Sequence, residues 1–396
     1  MRTINLAKSG LNKIQSHQIE FKSSDFEDSI KSVPPGEWCN VKLANNDYGI
    51  IYVNSLVDEK FTCGYLVHKL KNDELATFDT KNFIFKKIHN ALMKRKLFKG
   101  YEKHSRVFYG VSDGLPGLIV DLFNNISIIQ INTAGLDRFR DEIKKEVERL
   151  SGVPSYFLDN TKYREKESLP FFDSQDLPFL EVLENEIKYK IRPEVLQKIG
   201  FYYDHRENRY QLVNLISRMN VEIKAAVDLF CYVGAWGVSA LKAGAKSCQF
   251  IDQGDFEIEV NQTLQSNNFQ GQGQFQRTDV FKFLDEAIQK NKKYDLVLCD
   301  PPAFAKSMLQ KNQALEGYTK LHRKVFKIAS SQAIISFSSC THYVNHEEFQ
   351  KNILDAAKKE SRSIQLIYVG TQGFDHPIAS LHDRSNYIKC YFYFVE

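Results

Sequence analysis

Apolar and polar positions change rhythm along the chain. Residues 38–43 and 48–53 are short apolar runs separated by Asn45, Asn46 and Asp47 and preceded by the turn Pro34-Pro35-Gly36. That spacing predicts the strands of a small half-open β-barrel. Over 83–98 the period becomes helical, with Ile84, Ile88, Ala91 and Met93 set among basic residues, which predicts an amphipathic helix with a basic outer side. The turn cluster Asp113-Gly114-Leu115-Pro116-Gly117 leads into a strand at 118–121. A second strand at 126–131 and a charged helix at 137–150 complete a stretch of α+β character.

Past residue 184 the pattern changes again. A strand is expected at 186–191, and then short apolar runs at 227–230, 247–251, 294–298 and 333–337 alternate with helical stretches. Such alternation calls for an α/β fold with a parallel, doubly wound, Rossmann-like sheet. Two further strands, 363–369 and 387–395, fit an antiparallel pair at one side of it. The expected domains are therefore a small β-barrel over 1–72, an α+β region over 73–183, and the α/β sheet over 184–396.

Composition narrows the classes. The 396 residues are 43% hydrophobic and 26% charged, enough to bury a core and too apolar for a disordered chain. A formal net charge of +4 does not by itself point to nucleic acid. Its distribution is more telling, because Lys86, Lys87, Lys94, Arg95, Lys96, Lys99, Lys103 and Arg106 face only Glu102 across 86–106. Two readings remain open for this stretch: a solvated helix face and a surface for RNA phosphates. Seven cysteines stand singly, without a C-x-x-C pair. This excludes a zinc ribbon and a thioredoxin-type site, and the odd count is unlike a disulfide framework. No metal site is expected. The first ten residues lack a secretory pattern and no apolar run reaches about 18 residues, so a soluble cytoplasmic protein is expected.

In a doubly wound sheet, ligands sit beyond the carboxyl ends of the strands, so chemistry is sought there. Asp228-Leu229-Phe230 runs into Cys231-Tyr232-Val233-Gly234-Ala235-Trp236-Gly237, where glycine lets the backbone approach a ligand. The loop lacks G-x-G-x-x-G, which argues against a dinucleotide-dependent dehydrogenase. Asp252 ends the next strand, where a carboxylate can accept from both hydroxyls of a ribose. Asp279 follows a third short strand segment, 274–277, and could face an adenine amino group. Each acid alone is more often a loop cap, but acids at successive strand ends favour an adenosine-containing cofactor. The fourth strand delivers Asp300-Pro301-Pro302-Ala303-Phe304, whose prolines fix an extended turn. The fifth ends in Ser338-Ser339-Cys340-Thr341-His342. A buried small apolar residue is the usual fate of a cysteine, but Cys340 stands in a polar setting where a thiolate can form.

These motifs, with D-P-P-A-F-A-K-S from Asp300, resemble the class I S-adenosylmethionine-dependent methyltransferases. More narrowly, they resemble the 23S (large-subunit) ribosomal RNA cytosine-5 methyltransferase family that carries an N-terminal PUA domain. The segment R-V-F-Y-G-V-S-D-G-L-P-G-L-I-V-D from Arg106 is similar to the middle-domain signature of that family. Gln197-Lys198-Ile199-Gly200-Phe201 and Asp204-His205-Arg206-Glu207-Asn208-Arg209 resemble the entry to its catalytic domain. Asp375-His376-Pro377 and Tyr387-Ile388-Lys389 also match. Residues 1–72 match less well, with Val67-His68-Lys69 where the family usually has an arginine.

The resemblance implies that S-adenosylmethionine is held by Asp228, Phe230, Gly234, Asp252, Asp279 and Asp300. It further implies that Asp300 holds the target base and that Cys340 is the nucleophile. Large-subunit ribosomal RNA is then the expected partner, gripped by the PUA-like region and by Lys86, Lys87, Lys94, Arg95 and Arg106. Homodimerisation stays open. So do two rivals: methylation of guanine or of an amino group by the same architecture, and a non-catalytic RNA-binding ribosome assembly factor.

Overall fold

The computed structural model describes the chain apart from residues 29, 44–46, 55–61, 160–163, 166, 171, 173–175, 197–199, 306 and 380–384. Gln197, Lys198, Ile199 and Lys306 of the motifs above, and Asn45 and Asn46 of the expected turn, lie outside the described residues. The chain divides into two compact units, Met1–Leu177 and Pro178–Glu396.

The first unit opens with β1 (Arg2–Ile4), α1 (Lys8–Gln15), β2 (Glu20–Phe21), β3 (Trp38–Lys42), β4 (Tyr48–Val53) and β5 (Gly64–Leu70). The five strands form one sheet in the order β1-β3-β4-β5-β2. Then come α2 (Thr80–Lys96), β6 (Ser105–Tyr109), β7 (Leu118–Leu122), β8 (Ser127–Ile131), α3 (Ala134–Asp137), α4 (Arg140–Ser151) and β9 (Ser155–Phe157). Strands β6 to β9 make a second sheet in sequence order.

The expected boundary at residue 72 is not a boundary between cores. Alternate residues of β4 point to opposite faces. Ile51 and Val53 join a core with Ile4, Phe21 and Cys39. Ile50 and Tyr52 join another with Trp38, Ile84, Leu118 and Ile129. Burial on both faces makes β4 a continuous apolar run. Two polar contacts fasten the shared core, Trp38 Nε1 donating to the Gly135 carbonyl at 2.8 Å and the Tyr52 hydroxyl donating to the Pro116 carbonyl.

The second unit begins with a hairpin, β10 (Leu180–Glu184) and β11 (Ile187–Ile191), followed by α5 (Arg206–Ile216). Next come β12 (Ala226–Leu229), α6 (Ala235–Lys242), β13 (Cys248–Asp252), α7 (Glu257–Ser266), β14 (Gly273–Arg277), α8 (Val280–Gln289) and β15 (Tyr294–Cys299). The chain ends with α9 (Lys311–Ile328), β16 (Ala329–Ser339), α10 (His346–Lys359), β17 (Ile364–Gly370) and β18 (Lys389–Val395). The sheet order is β14-β13-β12-β15-β16-β18-β17. Strands β12 to β16 pair parallel, whereas β18 runs antiparallel between β16 and β17. The expected α/β sheet with an antiparallel side is thus present. Its order reverses between β12 and β15, the switch point at which such sheets open a crevice.

Candidate active site

Three strand tips at and beside this switch point carry the acids. Phe230 and Tyr232 hold φ of 62° and 49° and Gly234 a φ of 82°, so the loop after β12 is a tight left-handed curl. Bulky residues enter that region at a cost of the order of 1–3 kcal/mol each, a strain concentrated at functional sites. The curl is tied at both ends. Tyr232 N–H donates to Asp252 Oδ2 at 3.0 Å, and Gly237 N–H donates to Asp228 Oδ2 at 2.7 Å. Glycine at 234 answers the positive φ, and a Cβ there would face Phe250 at 3.0 Å, so that direction leads into the fold and not toward a ligand. Phe230 packs against the core of the sheet.

Asp252 accepts a second backbone bond, from Gly254 N–H at 2.8 Å. Two fixed donors aim its half-buried carboxylate at the crevice, and each oxygen keeps lone-pair capacity for a hydroxyl. Asp228 lies inside β12 and is 1% exposed. Its Oδ1 meets no donor among the described residues. Burial pushes its carboxyl well above the usual carboxylate range, reinforced by Asp300 and Asp252. Asp279 is exposed and serves as the N-cap of α8, accepting from Lys282 N–H at 3.0 Å. For this acid the ordinary capping role is realised.

Asp300, just past β15, is held by one hydrogen bond and neighboured by an imidazole. Trp236 Nε1 donates to its Oδ2 at 3.1 Å, and His205 Nε2 lies 3.6 Å from its Oδ1. The His205 tautomer follows from its neighbours. Tyr368 donates to Asn208 Oδ1 at 3.1 Å, and Asn208 Nδ2 donates to the Thr371 carbonyl at 2.9 Å. The Asn208 amide is thereby oriented to donate also to His205 Nδ1, at 3.1 Å. A neutral His205 then carries its proton on Nε2, facing the carboxylate.

Cys340 follows β16, the neighbour of β15. Thr341 Oγ1 donates to the Ala305 carbonyl at 3.0 Å, linking the two strand-tip loops. Below them the hydroxyls of Tyr318 and Ser339 meet at 2.9 Å. Tyr202 is in electrostatic reach of Asp252, Asp300 and Cys340 together, and with Asp204 these groups add to burial in raising its pKa. Of the seven cysteines, Cys340 is half-buried and the other six are buried. Burial pushes the thiols of Cys231, Cys248 and Cys299 well up and those of Cys39 and Cys390 up to about 12, which keeps them inert.

Comparison with known proteins now bears on this arrangement. The family described as "Conserved hypothetical protein 95" matches residues 206–356. The ribosomal RNA large subunit methyltransferase I of Aeromonas hydrophila is 32% identical over 311 residues, covering 76% of this chain and 76% of that protein. A Methanocaldococcus jannaschii protein named as a ribosomal RNA large subunit methyltransferase is 30% identical over 367 residues, covering 89% and 92%. This chain belongs to the ribosomal RNA large subunit methyltransferase I family. Among solved structures, a chain described as a SAM-dependent methyltransferase from Streptococcus mutans superposes with a TM-score of 0.76 at 19% identity over 100% of both chains. Another, described as a methyltransferase complexed with SAH, gives 0.78 at 19% identity, again over 100% of both. These two likenesses show the fold.

The expected basic surface needs correction. For this family member Lys86 and Lys94 are exposed on α2. Lys87 is half-buried, its ammonium 5.3 Å from the centre of the Phe83 ring. Arg95 is 2% exposed and forms a two-pronged pair with Asp113 at 2.9 and 2.7 Å. Arg106 does the same with Asp121 at 2.8 and 3.1 Å. Both guanidiniums are engaged within the unit, because planar donors match carboxylates two by two, and Arg95 is sealed from solvent. Trp236, His205 and Tyr202 were not singled out by sequence reasoning. The Asp204-His205-Arg206 run carried the signal for His205, but not its role. Among the described residues no helix is long and apolar enough to cross a membrane, and no group of three or more His, Cys, Asp or Glu is placed to hold a metal ion.

Proposed function

We propose that this protein transfers a methyl group from S-adenosylmethionine to carbon 5 of a cytosine in large-subunit ribosomal RNA, through a covalent adduct with Cys340. The observation that carries this reading is the half-buried Cys340 on the strand tip beside Asp300, in a chain whose other cysteines are buried.

The residues present fit the cofactor. Asp252 retains acceptor capacity for two ribose hydroxyls, and the buried Oδ1 of Asp228, whose other oxygen holds Gly237 N–H, meets no donor among the described residues. When bound, the cofactor supplies an electrophilic methyl on a sulfonium.

Carbon 5 of cytosine is a poor nucleophile. A Cys340 thiolate adding to carbon 6 forms the C–S bond and makes carbon 5 an enamine carbon that can take the methyl. Loss of the carbon 5 proton and elimination of the thiolate restore the ring. Asp300, held by Trp236, would fix the amino edge of the base. Extrusion of that base costs a few kcal/mol, least from single strands and loops. Exposed lysines of α2 and the PUA-like first sheet would supply backbone affinity.

Phe304 favours this reading over amino-group methylation. One face of its ring stacks on Tyr318, 4.7 Å between centroids at 28°, and is engaged within the fold. Cys340→Ala is expected to abolish methylation of RNA and leave cofactor affinity unchanged in calorimetry. Unchanged methylation by that variant would remove the thiol mechanism.

A further inference from the structure

Lys389 opens β18 and pairs in register with Ser339, the residue before Cys340. Its side chain continues past the strand tip. Nζ donates to the carbonyl of Thr341, the residue after Cys340, at 2.7 Å, and to the carbonyl of Tyr387 at 2.9 Å. One residue therefore brackets the cysteine, its backbone against the preceding position and its ammonium against the following one.

The ammonium is almost wholly removed from water, Lys389 being 2% exposed. Among the described residues its hydrogen-bond partners are these two neutral carbonyls and not a carboxylate. A buried charge without a counter-charge is costly. Burial accordingly lowers its pKa to about 8, a fall opposed by the charge on Cys340.

Other elements also face the thiol. Tyr202 precedes α5 and Tyr318 projects from α9, and both are in electrostatic reach of Cys340 and of Asp300. The phenols stay neutral because burial raises them. Asp300 disfavours a second anion nearby. His342 lies against Tyr387, 5.3 Å between rings, and Tyr387 donates to Asp204 at 2.8 Å. Among these described residues Lys389 brings a positive charge into electrostatic reach of Cys340.

We infer that Lys389 is the positioning residue that holds Cys340 as a thiolate, fixing the strand-tip loop through Thr341 and supplying the counter-charge; this rests on the reading of Cys340 as the nucleophile. The thiol proton leaves to solvent before addition, and the ammonium keeps its own protons. Lys389 thus acts by charge and position and not as an acid or base.

The test is the pH dependence of iodoacetamide alkylation at Cys340 in the full chain, read by mass spectrometry of the Cys340 peptide. Wild-type protein should titrate below the ~8.5 of an ordinary cysteine. K389Q, whose amide still donates to a carbonyl, should titrate at least about one pH unit higher, and K389R should stay near the wild type. A wild-type midpoint at or above ~8.5 overturns the inference without any variant. A folded K389Q with the wild-type midpoint overturns it as well. In methylation assays K389Q should lower kcat and leave KM for the cofactor unchanged. Failure of the underlying reading looks different: C340S would still methylate RNA, whatever the alkylation midpoints.

Discussion

Asp252 accepts two backbone N–H groups and keeps room for two hydroxyls. Replacing its charge by an amide in Asp252→Asn weakens charged hydrogen bonds of about 1.5–3 kcal/mol each. Cofactor affinity in calorimetry should fall by about tenfold to a hundredfold, with a lowered melting temperature because the bonds from Tyr232 and Gly254 N–H are weakened too. Asp279→Ala should leave that affinity nearly intact and cost about 1 kcal/mol of stability as a lost helix cap. His322 gives a pH signature. Burial lowers its pKa from 6.5 to about 3, so within that window the unfolded chain binds a proton that the folded chain does not. Stability should therefore fall as pH drops through the window. His322→Gln should flatten this acid limb in urea titrations, and an unaltered limb would show that His322 is not its source. The positions of Asp252, Asp300 and Cys340 at or just past strand ends were legible in the sequence, because each follows a short apolar run. Asp228 lies one residue inside β12 and is buried, which its place in an apolar run foretold, and Lys389 was read as part of a motif without a role because its partner lies beyond another strand.

Helix α2 joins two kinds of basic residue. Lys94 and Lys96 face solvent, whereas Arg95 between them is sealed against Asp113. Lys94→Ala with Lys96→Ala should weaken RNA binding and reduce the slope of log affinity against log salt by about two. Arg95→Met should instead cost about 3–5 kcal/mol of stability, since it strands Asp113 in the core, while the salt slope stays as it was. The helical period predicted α2 but not which cations turn inward, because the partner carboxylate sits in a turn beyond β6. Most strands of the second unit were legible as apolar runs. Helix α1 of the first unit and strand β10 of the second were among the elements that were not. Helix α1 is short and was absorbed into a reading of strands and turns. Strand β10 is joined to β11 by Asn185 and Glu186, with φ of 50° and 63°; a left-handed two-residue turn normally announces itself with glycine, and glutamate hides it.

At the scale of the molecule, Trp38, Ile50 and Tyr52 look into the same core as α2 and β7, and all lie in one compact unit, Met1–Leu177. A strand buried on both faces reads as a continuous apolar run, and its pattern does not say that each face belongs to a different core. The doubly wound sheet was legible from alternation alone, since parallel strands need crossover helices and their tips must face one way. The choice of carbon 5 rests on Cys340 and its setting, and ribosomal RNA rests on kinship. Bisulfite sequencing of large-subunit ribosomal RNA from cells with and without this protein tests both at once. The expected result is one cytosine that loses protection when the protein is absent and regains it with wild-type protein but not with Cys340→Ala. An identical protection pattern in both cells would contradict the account.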